Sequence, residues 1–352
     1  MSRKTIFILG AGFSIPAGIP SQDGLLQEIW QNREPSLKKH RDALQRYIKA
    51  VFGLSAKETE SLDLEDIYTP IHQSIARNES LKGNTPADLK KLETSLNILI
   101  SEAINQVVDE SKSGYIQDFI EALVERKESA PSQDSFAVFS LNWDILLDRR
   151  IFERLRGTDG VLDYCCHCAG IDSKNNIKPG LLAVGEGGFN VKLLKLRGSL
   201  NWLTCSECGR LFVNKSEKIA RGGFDGKSSC RLCSKNHKKP TKLDAALLLP
   251  TFQKELTKFH FQHIWNQAAI ELSQATKLVF IGYSFPLADF DFRSLITKYV
   301  GDVNVEVVLL SENGNETEEG NRYRNYFGQK ITQIHYHGVE DYVENHLVKS
   351  LT

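Results

Sequence analysis

Residues 4–21 read Lys-Thr-Ile-Phe-Ile-Leu-Gly-Ala-Gly-Phe-Ser-Ile-Pro-Ala-Gly-Ile-Pro-Ser, and their reading decides the fold. Ile6 to Leu9 form an unbroken apolar run, the pattern of a strand buried on both faces. A turn rich in glycine and proline follows at once, carrying Gly10, Ala11, Gly12 and Ser14. In a doubly wound sheet, glycines placed after the first strand let the backbone approach a pyrophosphate. The next helix N-terminus then offers its unpaired N–H groups to the negative charge. The full G-x-G-x-x-G pattern is not kept, because Ile15 stands where the third glycine belongs. Taken alone, the turn fits a nucleotide site or a plain reversal of the chain.

Outward from this stretch the period changes. From about Leu25 to Glu128, apolar residues recur at helical spacing (Leu25, Leu26, Ile29 and Trp30; later Leu89, Leu92, Leu96, Leu99, Ile100 and Ile104) with few glycines or prolines inside the runs. Several helices are expected there. At Phe136 the strand signal returns: Ala137, Val138 and Phe139 lead to a polar tip carrying Asn142 and Asp144, and residues 144–155 read as a helix. Residues 191–202 read as a strand ending in a turn, 261–274 as a helix, and 277–285 and 304–310 as buried strands with a helix between them. Residues 312–322 read as a solvated loop. Strands that are apolar throughout and alternate with helices imply a parallel sheet covered on both faces. The expected fold is therefore α/β, a Rossmann-type parallel sheet (1–24 with 131–352) with a helical insertion at 25–130 and a small zinc ribbon at 203–238.

Composition narrows the function. Among 352 residues, Lys plus Arg number 44 and Asp plus Glu number 44, so no basic field gathers nucleic acid. No apolar run approaches the roughly 18–20 residues of a membrane span. A cytoplasmic protein is expected.

Seven cysteines are present, and four fall into two pairs, Cys205-x2-Cys208 and Cys230-x2-Cys233. Two such knuckles fit a closed tetrahedral zinc site. Four thiolates leave no position for water, so the zinc is expected to be structural. Cys165, Cys166, His167 and Cys168 are too close in sequence to chelate one ion well, and read as thiols in a turn.

In order along the chain stand GAGFS (10–14), Gly18-Ile19-Pro20-Ser21 with Asp23, Ser140-Leu141-Asn142-Trp143-Asp144, Arg197-Gly198 in KLRGSLNW, and the cysteine pairs. This order resembles the sirtuin family. The variant forms SLNWD and GSLNW look closer to bacterial sirtuin-like proteins of antiviral defence than to protein deacylases. The resemblance covers about residues 4–24 and 136–310. It implies NAD as substrate or ligand, held by Gly10, Ala11, Gly12, Ser14, Pro20, Asp23, Arg197, Gly198, Gly282 and Ser284. It also implies a catalytic role for Asn142 in placing ribose and water, and for Asp144 on the nicotinamide side.

One position departs from the family. Arg197 stands where sirtuins carry a histidine base, and a guanidinium has no acceptor atom and stays protonated. Three classes follow: an NAD glycohydrolase yielding nicotinamide and ADP-ribose, a non-catalytic NAD or ADP-ribose binding subunit with Arg197 on phosphate, or a protein deacylase. The resemblance further implies a homo-oligomer and a separately encoded partner such as a HerA-type ATPase.

Overall fold

In the computed structural model, the described residues are all but 1–2, 22–23, 107–111, 173, 175, 183–187, 216–217, 250–255, 312–315 and 352. The strands are β1 (Thr5–Leu9), β2 (Phe136–Ser140), β3 (Gly160–Asp163), β4 (Cys168–Ile171), β5 (Ile177–Leu182), β6 (Phe189–Lys195), β7 (Gly198–Cys205), β8 (Leu211–Val213), β9 (Leu243–Leu247), β10 (Lys277–Ile281), β11 (Asn304–Val308) and β12 (Ile331–His335). Seven of them make one parallel sheet in the order β12-β11-β10-β1-β2-β6-β3. The apolar run is the middle of it: all five residues of β1 are buried, and it pairs in parallel with β10 on one side and β2 on the other. This is the parallel sheet that the sequence predicts. The chain leaves β1 toward β2, β6 and β3, then returns to add β10, β11 and β12 on the other side. The order reverses between β1 and β10, and in open α/β sheets ligands bind at the carboxyl ends of strands beside such a reversal.

The early helices are α1 (Leu25–Gln31), α2 (Lys38–Phe52), α3 (Leu64–Arg77), α4 (Pro86–Gln106) and α5 (Gly114–Ser129). Helix α4 packs against α1, α2 and α3, burying Leu89, Leu96, Leu99 and Ile100. Helix α5 covers the sheet instead. Its Phe119 meets Phe7 of β1 and Phe13 of the following turn edge-on, at ring separations of 5.6 and 5.3 Å. Edge-to-face pairs of this kind add about 0.5–1.5 kcal/mol beyond the area they bury.

The later helices are α6 (Leu146–Arg154), α7 (Ala220–Phe224), α8 (Arg231–His237), α9 (Phe259–Ser273), α10 (Phe290–Tyr299), α11 (Glu318–Phe327), α12 (Gly338–Asn345) and α13 (Leu347–Leu351). Two expectations need correction. The solvated loop at 312–322 is a helix from Glu318 onward. The Thr317 hydroxyl accepts the Gly320 N–H, and Glu318 and Glu319 sit in the first turn, where the helix dipole favours acidic side chains. Residues 312–315 lie outside the described residues. The stretch after Arg197 is no mere turn either: Gly198 opens β7, an eight-residue buried strand.

That strand belongs to a second, mostly antiparallel sheet, ordered β5-β4-β8-β7-β9. Among the described residues, no helix is long and apolar enough to cross a membrane.

Helix α9 carries His260 near its start. The residue is 3% exposed, and its Nε2 has no hydrogen-bond partner among the described residues. Burial, helped by the Lys258 charge, lowers its pKa to about 4. The neutral ring is thus the form the fold accepts, and the unfolded chain binds the extra proton first. Stability from this residue is full above the ordinary value near 6.5 and falls as pH drops toward 4. His260→Phe should flatten the melting temperature across that window, removing a dependence on the order of 3 kcal/mol. Thermal melts of both proteins at several pH values check this, and an unchanged slope contradicts it.

Candidate functional site

The turns after β1 and β10 nest into each other. The Gly10 N–H donates to the Ile281 carbonyl at 3.0 Å, and the Gly12 N–H donates to the Gly282 carbonyl at 2.7 Å. A Cβ on Gly10 would stand 2.5 Å from Tyr283 Cα, and one on Gly12 would stand 2.7 Å from Gly282 Cα. Backbone-to-backbone contact thus accounts for both glycines before any ligand is considered. Ala11 lies in the short 3-10 turn Ala11–Phe13, and its carbonyl accepts the Ser14 N–H.

On this turn stands a polar chain drawn from the tip of β2. The Asn142 amide donates to the Gly10 carbonyl at 2.8 Å and to Ser14 Oγ at 3.2 Å. The buried Ser14 hydroxyl donates to Asp144 Oδ2 at 2.9 Å, and the Leu146 N–H donates to Asp144 Oδ1 at 3.1 Å. Asp144 therefore also closes the start of α6. Both amide hydrogens of Asn142 are spent on the turn, so Oδ1 is the atom that remains to accept a hydrogen bond.

Beneath lies a dry ion pair. Lys195, at the end of β6, donates to the Asp144 carbonyl at 2.6 Å and to Asp148 Oδ2 at 3.1 Å, and the Tyr164 hydroxyl donates to Asp148 Oδ1 at 2.6 Å. The Lys195 and Asp148 side chains are 1% and 0% exposed. From the far side, the Tyr115 hydroxyl of α5 donates to the Phe13 carbonyl at 2.5 Å. Burial first, and then nearby carboxylates, raise the Tyr115 pKa, so it acts as a neutral donor.

Arg197 follows β6. Its carbonyl accepts the Trp143 indole N–H at 3.1 Å and the Leu248 N–H at 2.9 Å. Gly198 beside it has φ +79°, and a Cβ there would stand 2.0 Å from the Ala246 carbonyl. The guanidinium is ion-paired with Asp289, whose carboxylate also accepts the Tyr283 hydroxyl at 2.7 Å. Burial works against the Arg197 charge, but Asp289, Tyr283 and, more distantly, Glu65 of α3 hold its pKa above the ordinary value. The cation expected on phosphate is engaged within the protein.

The remaining sequence-predicted residues are spread more widely. Gly282 sits in the nested turn, and Ser284 is exposed just beyond it. Pro20 is half-buried ahead of α1, and Asp23 lies outside the described residues. The structure thus brings together Gly10, Ala11, Gly12, Ser14, Asn142, Asp144 and Gly282, with Arg197 and Gly198 on the neighbouring β6–β7 turn. Among the described residues, no histidine is hydrogen-bonded to this network. Sequence reasoning missed Tyr115, Asp148, Tyr164, Tyr283 and the Lys195 clamp. Only Lys195 left a signal, a charge directly after Leu193 and Leu194 at the end of a strand.

Gathering four cysteines falls to the second sheet. Cys205 ends β7, Cys208 lies in the turn toward β8, Cys230 caps α8 and Cys233 lies within it. All four sulfurs lie within 4.8 Å of one another, and Cys205 Sγ is 3.8 Å from Cys233 Sγ. A tetrahedral zinc with Zn–S of about 2.3 Å sets its sulfurs roughly 3.8 Å apart, so the cluster fits that ion. With four thiolates filling the shell, zinc bound there would act by holding β7 and α8 together. Cys165, at φ +57°, turns the chain ahead of β4, and Cys166 and Cys168 are buried.

Comparisons with known proteins add the following. No family model and no curated protein matches the chain. Among solved structures, a Sir2–p53 peptide–NAD+ complex is similar at 14% identity, over 97% of this chain and 91% of that one, with a TM-score of 0.42. A Sir2 homologue bound to ADP-ribose is similar at 14% identity, over 99% and 92%, with a TM-score of 0.46. A Sir2 complex with an inhibitor, 2'-O-acetyl-ADP-ribose and a deacetylated p53 peptide is similar at 15% identity, over 97% and 92%, with a TM-score of 0.40. The fold assignment rests on the strand order described above.

Proposed function

We propose that this chain binds NAD at the carboxyl ends of β1, β2 and β10 and hydrolyses it to nicotinamide and ADP-ribose, as part of antiviral defence. One observation carries the reading: Asn142, its amide hydrogens fixed on the glycine turn, keeps Oδ1 in place at a reversal of strand order. In the reaction, the bond from ribose C1' to the nicotinamide nitrogen breaks. Its electron pair neutralises the pyridinium, and water attacks C1' and loses a proton to solvent. Such a dissociative step gains more from positioning and electrostatics than from a strong base. Asn142 Oδ1 accepts from the water or a ribose hydroxyl, and the Asp144 carboxylate lies behind it. Arg197 takes no part in proton transfer.

A second reading, NAD or ADP-ribose binding without turnover, draws on the absence of a histidine from the network and on the Arg197–Asp289 pair. Deacylation needs the missing base more and ranks below both. Incubation of the purified chain with NAD separates them. Nicotinamide and free ADP-ribose without any acylated peptide support hydrolysis. Tight binding without nicotinamide supports the second reading, and peptide-dependent release supports deacylation. The reading includes self-assembly and a separately encoded partner, such as a HerA-type ATPase, as the means of holding the activity in check.

Arg197 supplies its own test. Arg197→Ala removes the guanidinium that pairs with the Asp289 carboxylate, 3% exposed as a residue. With the guanidinium itself partly exposed, a loss of about 2 kcal/mol is expected in thermal or urea melts. Adding Asp289→Asn should recover much of it. If Arg197→Ala melts like the parent, the pair has no structural weight.

A further inference from the structure

Two surface features outside the nucleotide cluster match each other. The first is a cleft of about 550 Å³ between α5 and the α12–α13 pair. Asp118, Glu121 and Glu125 face it from α5, and Glu340 and Glu344 face it from α12. Its floor is apolar: Val343 and Leu347 are buried, while Val348 is 66% exposed. None of the described lining residues is lysine or arginine, although Arg154 reaches Glu121 at 2.6 Å. Like charges spaced three or four apart on a helix face oppose folding, so both acidic rows act against the stability of their own helices.

The second feature is the tip of the cysteine module. Arg231, Lys235, Lys238, Lys239 and Lys242 are exposed on and just after α8, and Leu232 among them is 41% exposed. The whole chain is neutral, with 44 basic and 44 acidic residues, yet it carries one sign in the cleft and the other on this knuckle. Five cations around one protruding leucine complement an apolar floor ringed by Asp118, Glu125, Glu340 and Glu344, with Glu121 already paired to Arg154.

We propose that the α8 knuckle of one copy of this chain docks in the α5/α12 cleft of the next. Unlike patches are joined, so the contact is head-to-tail and builds rings or open chains rather than a two-fold dimer. Charge complementarity sets the register, and contact of Leu232 with Val348 supplies the apolar centre. Tyr115 lies at one end of the cleft and donates to the Phe13 carbonyl, so docking also braces the turn after β1.

Sedimentation of the full, metal-loaded chain tests this. The wild type should self-associate at low salt and weaken as salt rises. Glu340→Lys with Glu344→Lys, or Lys235→Glu with Lys238→Glu, should each lower association by on the order of tenfold or more. All four positions are exposed, so both variants should keep the parental melt. Mixing the two should restore association, because the parental knuckle of one fits the parental cleft of the other and the two charge-reversed patches fit each other. All four changes in one chain should restore association. A wild type that stays monomeric at low salt, variants that associate as the parent does, or a mixture that stays monomeric each overturn the proposal.

Discussion

Cys205→Ser should remove about one zinc per chain and unfold the second sheet. Cys205 and Cys233 are buried, and their sulfurs lie within 4.8 Å of those of Cys208 and Cys230. The apolar cluster around them is small: Ala169, Ile171, Leu203, Phe212 and Leu243 with the cysteines themselves. Apparent binding free energies of structural zinc reach about 10–16 kcal/mol, more than so small a cluster supplies. The core of the seven-stranded sheet reaches Leu200, Trp202, Leu211 and Val213 of the second sheet, but most of its residues lie outside that sheet, so it should survive. Metal analysis together with limited proteolysis reads both parts: zinc lost, and cleavage appearing between about 200 and 247 while β1, β2 and β10 stay protected. Unchanged zinc content, or loss of the whole fold in one step, contradicts this division.

The second large effect is at Gly282. Its φ is +59°, and a Cβ there would stand 2.3 Å from both the Gly12 carbonyl carbon and the Phe13 nitrogen. Both neighbours are backbone, so relief requires one turn to move off the other. Gly282→Ala should cost roughly 3–5 kcal/mol, the upper range for a single substitution. It should also free the Gly12 N–H from its carbonyl. Gly53→Ala is the control. Its φ is +74° and nothing lies within 4 Å of the added carbon. There only the left-handed backbone matters, at about 1 kcal/mol. Urea denaturation of the two variants separates crowding from backbone strain, and equal losses would show that the nested turns do not constrain each other.

How much was legible depended on the range of the interaction. The middle of the parallel sheet was visible because β1, β2 and β10 are short runs without polar interruption, and β11 carries only Glu306 inside its run, a local pattern. The helices of 25–128 were visible for the same reason. The second sheet was not, because β8 has three residues and β4 has four, too few to show a period. At Thr317 the polar composition pointed to a loop, but one hydroxyl cap and two first-turn acids were enough to start a helix.

The residues that form the candidate cluster could be singled out one by one, but their connections could not. Asn142 and Ser14 were identifiable singly, while their bond spans 128 positions. The Arg197–Asp289 pair spans 92, and no periodicity carries that information. Arginine at that turn suggested a phosphate ligand, whereas its counter-charge is a carboxylate placed by the start of α10. Gly10 and Gly12 suggested room for a ligand, and much of that room is filled by Gly282 and Tyr283.

Nicotinamide release by Asn142→Ala, measured beside the wild type at saturating NAD, tests the central claim most directly. Asn142 lies at a strand tip, so zinc content should not change, and the two lost hydrogen bonds should lower stability by only about 1–3 kcal/mol. Loss of ribose and water positioning should lower turnover on the order of a hundredfold or more. Turnover equal to that of the wild type would contradict the account, because the hydrolysis would then proceed without the Asn142 network.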